Sequence, residues 1–124
     1  MASEGLHEAG ELLDAATIDH HRAVTSLCEE LEAVDWYDQR VKATDDPTLA
    51  AVLAHNRDEE KEHAAMTLEW LRRRDPVLDA HLRTYLFTTD PVTEIEAEAE
   101  AAGDDGPAAT GSGSLNIGSL KGTE

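Results

Sequence analysis

The sequence predicts an all-α fold, an antiparallel two-helix hairpin followed by a short third helix. Three observations predict it. Apolar residues recur at spacings of three and four through two long segments, the period of a packed helix. Asp-Pro steps at Asp46-Pro47, Asp75-Pro76 and Asp90-Pro91 punctuate the chain. Only a short turn around Lys42-Ala43-Thr44-Asp45-Asp46 joins the two long segments, so the second returns beside the first.

The first helix is expected over 7–42. Val24, Leu27, Leu31 and Val34 form its seam, extended by Leu13 and His20 on one side and Val41 on the other. At 1.5 Å per residue its length is about 50 Å. Each Asp-Pro step then reads as a boundary. Aspartate caps a helix N-terminus, and proline fits the first helical position because the amide it lacks has no partner there. The second helix is accordingly placed at 47–74, closed by Arg72, Arg73 and Arg74, whose charge suits a helix C-terminus. The third, 76–87, carries Val77, Leu78, Leu82, Tyr85, Leu86 and Phe87 and needs a surface to dock on.

Beyond Asp90 the composition changes. Glu94-Ile95-Glu96-Ala97-Glu98-Ala99-Glu100 has weak helical character and little to bury, and 103–113 reads as linker. An apolar rhythm returns in Leu115, Ile117 and Leu120, the pattern of a docking peptide. The expected division is a helical domain at 1–90, a flexible acidic linker at 91–113 and a docking peptide at 114–124.

Composition narrows the function. A formal net charge of −17 disfavours nucleic acid and anionic membranes as partners and favours cations. No apolar run approaches the ~18–20 residues of a membrane span, and the N-terminus lacks the basic start of a signal peptide. One cysteine, Cys28, excludes an intrachain disulfide and reads as a small buried hydrophobe. The chain is expected to be soluble and cytosolic. A hairpin this small leaves an apolar seam uncovered, so a homo-oligomer is expected.

The chemistry concentrates in Asn56-Arg57-Asp58-Glu59-Glu60-Lys61-Glu62-His63. The inward row of the second helix reads Leu53, Asn56, Glu60, His63, Thr67, Trp70: apolar at the ends and polar in the middle. Burying a carboxylate there is costly without a partner. Glu60 and His63 share a helix face, so an oxygen and a nitrogen ligand point at one spot. Di-iron carboxylate bundles use one Glu from each of two helices and one Glu-x-x-His from each of two others. This chain holds one Glu-x-x-His and one helix with a Glu to match, Glu30. One chain is therefore expected to carry half a metal site, and two chains to complete it.

Tyr37 lies two turns from Glu30 on the same face and can add a phenolate; such ligands suit Fe(II) or Mn(II), with Zn(II) possible. Glu29 and Glu32, with Trp36, form a second row. It reads either as a solvated acidic face or as a funnel by which cations enter. A lone Glu-x-x-His is common on acidic helices, and the polar break in the apolar row is what favours ligation. His20, His21 and His81 read as structural. His55, two turns before Glu62, is a candidate to support a ligand from behind.

Two stretches carry a resemblance. They are Glu29-Glu30-Leu31-Glu32-Ala33-Val34-Asp35-Trp36-Tyr37-Asp38-Gln39-Arg40 and His55-Asn56-Arg57-Asp58-Glu59-Glu60-Lys61-Glu62-His63-Ala64-Ala65-Met66-Thr67-Leu68-Glu69-Trp70-Leu71. They resemble the encapsulated ferritin family, and the likeness runs from about His20 to Phe87. The ending Gly113-Ser114-Leu115-Asn116-Ile117-Gly118-Ser119-Leu120-Lys121-Gly122 resembles the peptide that loads cargo into encapsulin shells.

The resemblance implies a protomer that dimerises into a ferritin-like four-helix bundle, with the dimers assembled in a ring, a decamer by family analogy. It implies a di-iron ferroxidase centre at Glu30, Tyr37, Glu60 and His63. Metal would enter past Glu29 and Glu32 beside Trp36, where a secondary divalent cation is possible. The protein would oxidise Fe(II) to Fe(III) in the lumen of a cytoplasmic encapsulin nanocompartment, where the iron mineralises. A di-iron peroxide scavenger and a non-catalytic iron-binding cargo are the competing functions.

Overall fold

In the computed structural model, which describes residues 5–105, the first helix starts later than its apolar pattern predicts. Asp14 holds an extended backbone (φ −81°, ψ 172°), and its side chain accepts a hydrogen bond from the Thr17 N–H at 2.8 Å. That side chain satisfies one of the amides a helix start leaves free, so α1 runs Ala15–Ala43. Before it, Gly10–Leu12 makes a single 3₁₀ turn. The helix is therefore about 44 Å long rather than 50.

The second helix, α2 (Pro47–Arg74), lies where the two Asp-Pro steps put it. Asp46 Oδ1 accepts from the Thr48 and Leu49 amides at 2.9 and 3.4 Å. The Asp46 N–H in turn donates to Thr44 Oγ1 at 3.2 Å, which tightens the connection. Two cross-links fix the direction and register of the hairpin. Arg57 Nη1 donates to Asp38 Oδ1 at 2.9 Å, and Thr67 Oγ1 donates to Glu30 Oε2 at 3.4 Å. Each step forward along α1 is matched by a step back along α2, as in an antiparallel pair.

The chain divides into two compact units, 1–71 and 72–124. Among the described residues only Ala64 and Leu71 are buried, at 7% and 5% exposure. Leu31 is 55% exposed and Met66 64%. Two helices form one layer, and one layer cannot enclose a core. Cys28, expected to be buried, is only half-buried for the same reason.

In the second unit, α3 (Pro76–Tyr85) is capped by Asp75, whose Oδ1 accepts from the Val77 and Leu78 amides at 3.1 and 3.0 Å. It stops two residues short of the expected end. The Leu86 N–H closes on the Leu82 carbonyl at 2.9 Å, and Phe87 follows at φ 62°. A left-handed residue after a helix is usually Gly or Asn, so a phenylalanine there is unusual. Asp79 is gripped by Arg72 and by Arg83, the latter at 3.0 Å. These bonds, Arg72's first, hold the Asp79 carboxyl below the usual carboxylate range.

The stretch expected to be linker from 91 onward opens with a helix, α4 (Val92–Asp105). It begins one residue later than the Asp90-Pro91 step implies, with the Pro91 carbonyl accepting from the Glu94 and Ile95 amides at 3.0 and 3.1 Å. Ile95 and Ala99, one turn apart, are its half-buried residues, and α4 packs against α3. Burial, then the nearby Glu96 and Glu100 charges, push the Tyr85 hydroxyl above its ordinary pKa. A narrow stripe, hidden among glutamates, thus finds a neighbour. The rest of the expected linker, 106–113, and the docking peptide, 114–124, lie outside the described residues. Among the described residues no helix is long and apolar enough to cross a membrane.

Candidate metal centre

Glu60 and His63 come together. Glu60 Oε1 lies 3.5 Å from His63 Nδ1 across one turn of α2, with their side chains 28% and 48% exposed. The spacing of three places them together, and the next residue, Ala64, is one of the two buried side chains. The pair therefore stands at the margin of the helix contact, where a ligand reaches it from outside the hairpin.

Glu30 has a different setting. Its Oε2 accepts from Thr67, while its Oε1 is buried and has no hydrogen-bond partner. A buried carboxylate oxygen without a partner carries a desolvation penalty that a cation relieves.

The hairpin register explains which residues meet. Asp38 stands opposite Arg57 and Glu30 opposite Thr67, which puts Tyr37 nearly level with Glu60. Glu30 lies seven residues nearer the start of α1 than Tyr37, about two turns away. Among the described residues, no three of His, Cys, Asp and Glu gather closely enough to hold a metal. The structure brings Glu60 to His63 and Glu30 to Thr67, two pairs about one turn apart on the hairpin.

The remaining candidates fall as follows. The Tyr37 ring is covered by the Arg40 guanidinium at 5.3 Å, close enough for a cation–π contact. Glu29 is exposed and Glu32 half-buried, and Trp36 is exposed beside them. His55 sits 3.9 Å from Glu59 on an exposed face, away from the Glu60 row. Sequence reasoning placed Thr67 in the inward row without giving it a task; its position one turn after His63 was the available signal. The Arg57–Asp38 link left none, because any of several acidic residues on α1 matched Arg57 equally well.

A profile of the EncFtn-like family matches residues 5–89. The "Encapsulated ferritin-like protein" of Rhodospirillum rubrum is 61% identical over 128 aligned positions, covering 98% of this chain and 91% of that protein. The "Encapsulin nanocompartment cargo protein EncC" of Myxococcus xanthus is 34% identical, covering 74% of this chain and 76% of that one. A crystal structure of a Nitrosomonas europaea protein superposes with a TM-score of 0.70 at 60% identity, covering 72% of this chain and 98% of that one.

Proposed function

The chain belongs to the EncFtn-like family, and from that premise we propose that it is a ferroxidase whose di-iron site is completed by a second copy of itself. The observation that carries this reading is the buried, unpartnered Glu30 Oε1 on the same hairpin as the Glu60–His63 pair. Both are donor groups suited to iron, and neither set suffices alone.

Two protomers related by a two-fold axis present the same surface to each other. Together they supply two Glu30 carboxylates and two Glu60–His63 pairs, the donor set of di-iron carboxylate bundles. Tyr37 contributes a phenol near the level of Glu60. Glu29 and Glu32, beside Trp36, form the acidic approach, which also suits a secondary divalent cation. The exposed Leu31 and Met66 give the two copies an apolar surface to bury. Such dimers assemble into a ring, ten chains by family analogy.

Fe(II) is the substrate: two Fe(II) give one electron each to one dioxygen, which takes up two protons from solvent and leaves as hydrogen peroxide, with two Fe(III) formed. The protein's part is electrostatic and positional. Hard carboxylate oxygens favour the ion of higher charge, so Glu30 and Glu60 stabilise the ferric product. The His63 nitrogen and Glu60 oxygen hold the substrate ion in place. The net charge of −17 raises the local concentration of cations.

The ferric product then mineralises in the lumen of a cytoplasmic encapsulin shell. That the Rhodospirillum relative is an encapsulated ferritin-like protein and the Myxococcus one an encapsulin cargo protein supports a place inside such a shell, and residues 114–124 are the segment assigned to shell docking. Deleting 114–124 is expected to abolish co-purification with a co-expressed shell protein while leaving oxygen uptake intact. Lost oxidation in that variant means the segment is more than an address.

The direct test adds Fe(II) to the full-length assembly and follows oxygen uptake together with ferric absorbance. A ferroxidase consumes dioxygen in step with Fe(III) appearing. Bound Fe(II) that persists in air and oxidises only with hydrogen peroxide identifies a peroxide scavenger. Uptake of iron without turnover identifies a binding cargo.

A further inference from the structure

The Glu30 carboxylate meets a hydroxyl on the other helix. Resting on the reading of Glu30 as an iron ligand, we propose that Thr67 is a positioning residue that turns one Glu30 oxygen toward the incoming cation. A helical threonine ordinarily spends its hydroxyl on the carbonyl one turn back. Thr84 does so, donating to the Ala80 carbonyl at 3.0 Å. Thr67 instead donates across the hairpin to Glu30 Oε2 at 3.4 Å.

The consequence follows from the two oxygens of one carboxylate. The terminal torsion of glutamate is broad and roughly two-fold, so a free carboxylate samples many planes. Anchoring Oε2 narrows that range and leaves Oε1 buried without a partner. The anchor is neutral. An arginine or lysine there would orient Glu30 equally well, but would also cancel the negative charge that draws a cation. At 3.4 Å the bond is longer than an ordinary O–H···O bond of about 2.7–2.8 Å. It biases the carboxylate before metal binds, as expected of a group whose geometry tightens with its ligand. The threonine methyl and backbone keep their places in either case, so the hydroxyl is the separable part.

The test uses the full-length assembly with Co(II) as a spectroscopic probe and Fe(II) oxidation as the kinetic one. Thr67→Val keeps the side-chain shape and removes the hydroxyl; Thr67→Ser keeps the hydroxyl and removes the methyl. Thr67→Val is expected to weaken Co(II) binding about three- to tenfold, the scale of one hydrogen bond. It is also expected to raise the KM for Fe(II) more than it lowers kcat, with Thr67→Ser close to the parent in both. Far-UV circular dichroism confirms that each variant is folded. If Thr67→Val binds Co(II) like the parent while Glu30→Gln does not, the positioning role is overturned and the site stands. If Glu30→Gln also binds like the parent, the site falls and the positioning role with it. Equal weakening in Val and Ser variants places the effect in packing and overturns the hydroxyl's role.

Discussion

His63→Ala is expected to abolish rapid oxygen consumption with Fe(II) and to leave the helices intact. The imidazole is half-exposed and meets Glu60 at 3.5 Å, so little packing is lost. Alanine is also the better helix former. What disappears is the nitrogen donor of each ligand pair, and a two-fold assembly loses it from both halves at once. Groups that merely support a metal ligand cost about 10–100-fold in affinity or activity when removed. Removal of a direct ligand is expected to cost about a hundredfold or more. Oxygen-electrode rates, with Co(II) titration as the binding control, decide the matter. A parent-like rate in this variant removes His63 from the site. Loss of binding without any change in oligomer size separates ligation from assembly.

The spacing of Glu60 and His63 was legible because helical geometry alone brings residues three apart together. The second helix was legible for a related reason: capping aspartates and prolines are local signals, and α2 runs between two of them. The errors share a physical origin as well. The apolar pattern before Asp14 continues through Leu13, but a helix starts where its free amides find a cap, and Asp14 supplies it. The third helix ends early because Phe87 takes a left-handed conformation that its residue type does not announce. The helix α4 was underestimated because Ile95 and Ala99 bury only part of their surface, against an element the sequence does not identify as a neighbour.

The candidate site divides along the same line. Contacts within one turn were readable. Contacts between helices depended on register, and register is fixed by pairs such as Arg57–Asp38 and Thr67–Glu30. Register also decides what Glu30 meets within a protomer. The sequence states that both carboxylates exist on facing rows. Only the hairpin shows that Glu30 meets Thr67, one turn past His63.

In the proposed two-chain site assembly and chemistry are inseparable, and Leu31→Asp is the substitution that tests it. Leu31 is 55% exposed in the protomer and next in sequence to Glu30. Met66, 64% exposed and next to Thr67, stands at the same level of the hairpin. Fully burying a leucine contributes about 1.5–3 kcal/mol, and an unpaired carboxylate in its place costs several kcal/mol more. In an isologous interface each change counts twice, once from either side. The variant is therefore expected to sediment as smaller species with its helicity preserved. It is expected to lose oxidation although Glu30, Glu60, His63 and Tyr37 are all present. Analytical ultracentrifugation with oxygen uptake on the same sample reads both outcomes. A dissociated variant that still oxidises Fe(II) at the parent rate means that one protomer holds a whole site and overturns the two-chain reading. An intact ring with lost oxidation means that Leu31 shapes the pocket and that the apolar contact lies elsewhere on the hairpin.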